Sequence, residues 1–278
     1  MSDTPTVPFE QPTAGTHPRL VPARTVDADS WATRLYLLVR GVIEWPIAVV
    51  LLICATPVLV GLGLVLKSSS PGPMLYSQIR LGKEGRRFRI YKLRTMIHKS
   101  EVATGPVWSS PGDPRVTRVG RWLRDTHLDE MPQLWNVVRG EMSLFGPRPE
   151  RPEIAEQIER WLPEYRDRLA VRPGIAGLAQ VILPPDADLM SVRRKLSYDL
   201  QYIAGVGPVM DVRVACATVL HCVGLIASVV SRLLVQPSAP PPMVEPKGPI
   251  PHLGLSMADH GLRPSEEGSE QTELTKVA

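Results

Sequence analysis

Between Trp45 and Leu66 the chain runs for 22 residues without a charge, WPIAVVLLICATPVLVGLGLVL. A helix of that length reaches across the hydrocarbon core of a bilayer. Pro57 sits near its middle, where it removes a helix hydrogen bond and favours a bend. The hydroxyl of Thr56 can satisfy a freed carbonyl locally. Each half is then about 16 Å of helix, roughly half the hydrocarbon thickness. Both flanks are basic, with Arg34 and Arg40 before the run and Lys67, Arg80, Lys83, Arg86 and Arg87 after it. Charge therefore gives no direction across a membrane. A helix–break–helix hairpin at Thr56-Pro57, entering and leaving on one face, answers both observations. A kinked single span is the alternative, followed by a buried core helix.

The second stretch that organises the chain is Thr126 to Pro149, THLDEMPQLWNVVRGEMSLFGPRP. Asp129 and Glu130 are adjacent carboxylates. Met131, Leu134, Trp135 and Val138 follow at the spacing of one helix face. Pro132 fits only in a first turn, and Gly140 is a natural stop. The spacing thus predicts a helix starting near Asp129, with Asp129 as its N-cap. Gly146-Pro147-Arg148-Pro149 is a rigid turn that presents a guanidinium. A carboxylate pair at the positive end of a helix, near a fixed arginine, suits anion chemistry. A capped surface helix is the plainer account of an Asp-Glu pair taken alone.

What surrounds these stretches favours the chemical account. Residues 75–96 carry Arg80, Lys83, Arg86, Arg87, Arg89, Lys92 and Arg94 against the single acid Glu84. Alternation around Phe88 and Ile90 predicts a strand, with a hairpin turn at Gly82–Gly85. Such charge suits anionic lipid or a pyrophosphate. The net charge of +4 fits anionic partners generally. Only 5% of residues are aromatic, a poor supply of stacking platforms, so no nucleic acid is expected as a partner. Cys54, Cys216 and Cys222 lie in apolar surroundings and are expected to be small buried hydrophobes rather than a disulfide or zinc set.

The remaining chain divides by composition. Residues 1–33 form a polar, Pro-rich tail and 34–67 the membrane hairpin. Residues 68–235 form the folded domain, and 236–278 a second polar tail. Within the domain, 99–117 is a long loop, 150–168 is helical until Pro163, and Arg172–Gly177 is a glycine-bearing turn. Residues 189–204 form a helix with Tyr198, Asp199 and Tyr202. Val214–Ser231 is a second uncharged segment, best placed at a membrane surface or on the domain. The fold class expected is α/β, mainly helical with a small sheet.

Several motifs stand in fixed order. After the apolar segment with its central proline come SPGP, YKLRTM (Tyr91–Met96) and DPRVTRVGRWLR (Asp113–Arg124). LDEMPQLWNV (Leu128–Val137), GEMSLFGPRP (Gly140–Pro149) and RPGIAGLAQV (Arg172–Val181) follow. In these the chain resembles the bacterial sugar transferases, the monotopic polyprenyl-phosphate phosphoglycosyl transferases, from about Arg40 to Thr218. Glu44 stands where an aspartate is usual, Thr56 where serine is common and Ala176 where threonine is usual.

The resemblance implies a compact catalytic domain facing the cytoplasm on a re-entrant helix at the bacterial cytoplasmic membrane. It implies transfer of a sugar-1-phosphate from a UDP-sugar donor to polyprenyl (undecaprenyl) phosphate with release of UMP, an initiating step of exopolysaccharide or O-antigen-type synthesis. Asp129 would be the nucleophile and Glu130 its partner, both near Mg²⁺. Lys92, Arg94, Arg124 and Arg148 would hold phosphates. Inner-membrane lipid is a further partner, and a homo-oligomer stays open. A catalytically inactive membrane scaffold is the alternative function.

Overall fold

The computed structural model describes residues 30–100, 112–184 and 189–222. The two tails, the Gly105-Pro106 part of the loop and residues 223–231 of the second uncharged segment lie outside them. The fold is mainly helical with two small sheets, as expected.

Helix α1 spans Trp31–Ser69 and contains both Pro46 and Pro57. The break expected at Thr56-Pro57 does not divide it. Pro57 orphans only the Ile53 carbonyl. The Thr56 hydroxyl donates to the neighbouring Leu52 carbonyl at 2.7 Å, which reinforces the ladder one residue earlier. Two missing bonds, at Pro46 and Pro57, do not end a helix of 39 residues that packs on the domain on both sides of Pro57.

That packing is the main architectural fact. Ala48 of α1 is buried with Phe88, Ile90, Val137 and Met142. Leu66, near the far end, is buried with Leu93 and Leu123. These two contacts are 18 residues apart, about 27 Å of helix. The helix therefore meets the domain on both sides of Pro57. Its other faces leave Val42, Trp45, Val50, Ile53, Val60 and Leu64 exposed. Cys54 and Cys216 are exposed too, contrary to the burial expected of them, because each faces outward from its helix.

After α1 the chain forms an antiparallel hairpin of β1 (Leu75–Leu81) and β2 (Arg87–Leu93), in register from Leu75↔Leu93 to Leu81↔Arg87. The turn is at Lys83–Gly85, where the strand pattern placed it. Phe88, Ile90 and Leu93 of β2 are buried. Helix α2 (Arg118–Asp125) is capped by Thr117, whose Oγ accepts from the Gly120 backbone N–H at 2.9 Å. Gly120 is required there, since a Cβ would lie 1.9 Å from the Thr95 carbonyl oxygen.

A 3₁₀ segment (Leu128–Gln133) leads into α3 (Leu134–Val138). Its cap position is His127, in a left-handed conformation (φ 57°), so Asp129 lies inside the first turn and is not the N-cap. The tighter 3₁₀ start also rotates the apolar face: Leu134 and Val137 are buried, whereas Trp135 is exposed. Gly140 ends the helix with φ 72°. Strand β3 (Ser143–Phe145) pairs in parallel with β4 (Gly174–Ala176). Between them lie α4 (Pro152–Glu159) and a 3₁₀ segment (Pro163–Ala170). Helices α5 (Leu178–Ile182), α6 (Leu189–Ala204) and α7 (Pro208–Cys222) complete the described fold. One core cluster joins α4 and α6 through Ile154, Ile158, Val192 and Leu196, and a second joins Val171, Leu178, Tyr202 and Val214.

Candidate active site

Four elements converge on Asp129 and Glu130. The 3₁₀ turn carries the pair, and Asn136 of α3 locks that region to β2. Its side-chain amide donates to the Arg89 carbonyl at 2.7 Å, and its oxygen accepts from the Tyr91 N–H at 3.3 Å. Strand alternation then aims Lys92 the same way as Phe88 and Ile90, inward. Lys92 Nζ lies 2.7 Å from Glu130 Oε1. From the third element, the GPRP turn, Arg148 donates to both oxygens of Glu130, to Oε2 at 3.1 Å and also to Oε1. Helix α2 supplies Arg124, whose Nε donates to Thr95 Oγ1 at 2.9 Å. Arg124, Lys92 and Arg148 all act electrostatically on Asp129.

The two carboxylates sit in different environments. Burial pushes the Glu130 carboxyl up, but Arg148 and Lys92 outweigh it and hold the group well below the usual carboxylate range. Glu130 is a firmly ionised anion with both oxygens paired. Asp129 is only 6% exposed, and among the described residues none donates a hydrogen bond to its carboxylate. Burial raises its pKa, and the Glu130 charge adds to that, against the opposing pull of Lys92, Arg148 and Arg124. Burial and Arg148 push the Lys92 ammonium down, against Glu130 and Asp129. Asp129 is thus a weakly solvated carboxylate with three cations around it and its lone pairs unengaged.

Residues 35–224 match the bacterial sugar transferase family. The chain belongs to that family. Among its relatives, it is 39% identical over 185 residues to an Aeromonas hydrophila UDP-N-acetylgalactosamine-undecaprenyl-phosphate N-acetylgalactosaminephosphotransferase, covering 66% of this chain and 44% of that protein. It is 42% identical over 137 residues to a putative undecaprenyl-phosphate N-acetylgalactosaminyl 1-phosphate transferase of Bacillus subtilis (strain 168), covering 49% and 76%. With the UDP-glucose:undecaprenyl-phosphate glucose-1-phosphate transferase of Xanthomonas campestris pv. campestris it shares 32% identity over 201 residues, covering 72% and 41%. The chain spans less than half the length of the first and third of these relatives.

Of the phosphate-holding residues expected in this sugar transferase, the structure brings Lys92, Arg124 and Arg148 to the carboxylate pair. It places Arg94 elsewhere. Arg94 donates to the Pro71 carbonyl at 2.7 Å and to the Ser70 carbonyl and hydroxyl at 2.9 Å, which ties the SSSPGP turn to the end of β2. The metal role expected of Glu130 meets oxygens that two cations already occupy. Asp129 alone has a carboxylate open to a cation, and among the described residues no cluster of three metal-binding side chains exists. That donor set suits a magnesium ion held mostly by substrate phosphates and water, with one protein carboxylate.

Sequence reasoning missed three contributors. Asp113 and Arg115 form a buried pair, with Arg115 Nη2 2.7 Å from Asp113 Oδ2, and both act on Arg124. The Asp-x-Arg spacing was the available signal, because Asp113 Oδ1 also accepts the Arg115 backbone N–H in an Asx-type turn. Thr95 orients Arg124. Arg168 reaches the GPRP turn from a distant segment, which no local pattern reveals.

Proposed function

We propose that this sugar transferase moves a sugar-1-phosphate from a UDP-sugar to polyprenyl phosphate and releases UMP, through a phosphosugar carried on Asp129. The observation that carries the proposal is the Asp129 carboxylate, buried, accepting no hydrogen bond from the described residues and under the electrostatic pull of Lys92, Arg148 and Arg124. An aspartate needs no general base once ionised. Burial without donors leaves its charge poorly stabilised, which favours attack on phosphorus.

An Asp129 oxygen forms a bond to the β-phosphorus of the donor, and the bond from that phosphorus to the bridging oxygen breaks. The bridging oxygen leaves with the α-phosphate as UMP. An oxygen of polyprenyl phosphate then attacks the same phosphorus and frees the Asp129 carboxylate. Polyprenyl-diphosphate-sugar is the product, and the anomeric bond is never cleaved. Both steps bring anion to anion. Lys92 and Arg148 offset the charge of Glu130 and present a fixed positive field to the transferring phosphoryl group, and Arg124 adds to it at Asp129. Mg²⁺ with Asp129 as its protein ligand would supply further neutralisation on the diphosphate.

A lipid acceptor requires the site at a bilayer surface. In this proposal α1 is kinked at Pro57 without being divided, and so enters the cytoplasmic face of the membrane and returns to it. Support comes from its contacts with the domain at Ala48 and at Leu66, on both sides of Pro57, while the intervening outward residues are apolar. An upright span with the domain beyond one end would not make both contacts.

The test uses the full chain purified in detergent or nanodiscs with polyprenyl phosphate, Mg²⁺ and a panel including UDP-glucose and UDP-N-acetylgalactosamine. UMP release with at least one donor is expected. Release of UDP would mean that only the sugar moves and would overturn the scheme.

A further inference from the structure

The GPRP turn is held carbonyl by carbonyl. The Pro147 carbonyl accepts from the Gly174 N–H at 3.0 Å, and that of Glu150 from the Leu81 N–H at 2.9 Å. Between them, the Pro149 carbonyl accepts from Arg80 Nη1 at 3.1 Å, and the Arg148 carbonyl from Arg168 Nη2 at 2.7 Å. Four consecutive carbonyls thus have four separate donors. Only one of these donors acts on the residue whose side chain grips Glu130.

Arg168 is itself tightly placed. Its guanidinium is 8% exposed, and Nη2 lies 2.7 Å from Asp199 Oδ2 on α6, whose residue is 3% exposed. Nη1 donates to the Tyr165 hydroxyl, and the guanidinium carbon sits 4.7 Å from the Tyr165 ring centroid. A planar guanidinium can hold a carboxylate and a carbonyl in fixed directions at once, which a lysine cannot reproduce. The chain of contacts runs from Asp199 through Arg168 to the Arg148 backbone, and from the Arg148 side chain to Glu130, beside Asp129.

We propose that Arg168, fixed by Asp199 and Tyr165, is a positioning residue that sets Arg148 against Glu130 for phosphoryl transfer. The proposal rests on the reaction given above. A buried ion pair that served only to hold α6 to the 3₁₀ segment would have no need of the Arg148 carbonyl. Its loss would lower stability to the same extent whether or not the Arg148 side chain is present. A loss that acts through Arg148 instead disappears once that side chain is gone.

The experiment is a double-mutant cycle on the full chain, reading kcat and KM for UMP release per folded enzyme. The enzymes are wild type, Arg168→Lys, Asp199→Asn, Arg148→Ala and Arg168→Lys with Arg148→Ala. Misplacement by about 1 Å can cost about 10²-fold in rate. Arg168→Lys and Asp199→Asn are expected to lower kcat/KM about 10–100-fold. Both should lower kcat per folded enzyme, as Arg148→Ala does, which a purely structural role would leave unchanged. In the Arg148→Ala background, Arg168→Lys should cost less than about 2-fold. Equal losses in both backgrounds, or an unchanged kcat per folded enzyme, overturn the positioning role. Should Arg168→Lys fail to fold, Tyr165→Phe removes a single acceptor from Arg168 and is read in the same cycle, with the same two outcomes. A wild-type enzyme that releases no UMP sinks the reaction, and the positioning role with it. An active wild type whose variants behave additively sinks the positioning role alone.

Discussion

Lys92 Nζ and Glu130 Oε1 lie 2.7 Å apart, in a site where Arg148 already pairs with the same carboxylate. Two cations on one anion leave positive charge over for a neighbour, and the neighbour is Asp129. Its burial raises the pKa above the ordinary aspartate value of about 3.9. The acid limb of the pH–rate profile should therefore lie above that value, because in the proposed scheme Asp129 must be ionised to attack. Lys92→Met removes a cation that lowers the Asp129 pKa, so the limb should move to higher pH, with a loss of about 10²-fold in kcat/KM. Glu130→Gln removes an anion that raises it, so the limb should move to lower pH. Opposite shifts in the two pH profiles are the expected result. Shifts of the same sign would show that Asp129 is not the titrating group.

Asp129→Asn should reduce UMP release by about 10⁴-fold or more, as loss of a nucleophile does elsewhere. The same change should stabilise the fold at neutral pH. An acid whose pKa is raised by folding costs stability when ionised, and that cost is fully present above its folded pKa. It disappears below the unfolded value of about 3.9, where both states are protonated. Glu130 runs the other way: its depressed pKa contributes stability above about 4.3 that is lost as pH falls through the folded value. Thermal unfolding in detergent at pH 7 should thus show a higher midpoint for Asp129→Asn and a lower one for Glu130→Gln. Membrane association should be unchanged for both.

Much of the site was readable in the order of residues. The adjacency of Asp129 and Glu130, the parity that groups Lys92 with Phe88 and Ile90, and the rigid turn around Arg148 are all local properties. The fate of Arg94 was not readable. It shares that parity with Lys92, but β2 ends at Leu93, and the Arg94 guanidinium goes to the Ser70 and Pro71 carbonyls of the preceding turn. Alternation predicts direction only while a strand lasts. The left-handed His127, which moves Asp129 from cap to first turn, is a backbone state that a non-glycine residue does not announce. Arg168 with Asp199, 31 residues apart, and Arg40 with Asp211, 171 apart, are fixed by packing of whole helices, so no spacing encodes them. The unbroken helix through Pro57 has a similar origin, since contacts at Ala48 and Leu66 hold what local propensity would interrupt.

Arg94 scaffolds the turn before β1, whereas Arg124 of α2 acts on Asp129. Arg94→Ala removes three donated bonds to Ser70 and Pro71, and charged hydrogen bonds of this kind contribute about 1.5–3 kcal/mol. The unfolding midpoint should fall, while KM for the donor, measured per active enzyme, should change less than about 2-fold. Arg124→Ala should do the reverse, raising KM about 10-fold or more with a smaller loss of stability. An Arg94 variant with a large rise in KM and an unchanged midpoint would return it to the phosphate-binding set.

The attachment of α1 to the domain is polar at its N-terminal end and apolar at its C-terminal end. Glu44 accepts from the Ser143 hydroxyl at 2.8 and 2.7 Å and from the Leu144 N–H at 3.3 Å. Asp211 of α7 accepts from Tyr36 at 2.6 Å, Tyr202 at 2.6 Å and Arg40 at 3.1 Å. Arg40 lies 3.7 Å from Glu44, so it is shared between the two acids. Glu44→Ala leaves Arg40 still paired with Asp211. Its cost is chiefly the orphaned Ser143 and Leu144 donors, about 2–3 kcal/mol. Asp211→Ala removes the acceptor of three donors at once and leaves Arg40 with the Tyr202 hydroxyl at 2.8 Å and, as its one remaining acid, the more distant Glu44 at 3.7 Å. Breaking a buried pair in that way costs about 3–5 kcal/mol. Asp211→Ala should therefore unfold at a lower temperature than Glu44→Ala, and both should unfold below wild type. Limited proteolysis should show α1 released from the domain first in the Asp211 variant. A Glu44 variant less stable than the Asp211 variant would mean that β3, rather than α7, is the principal anchor of the helix.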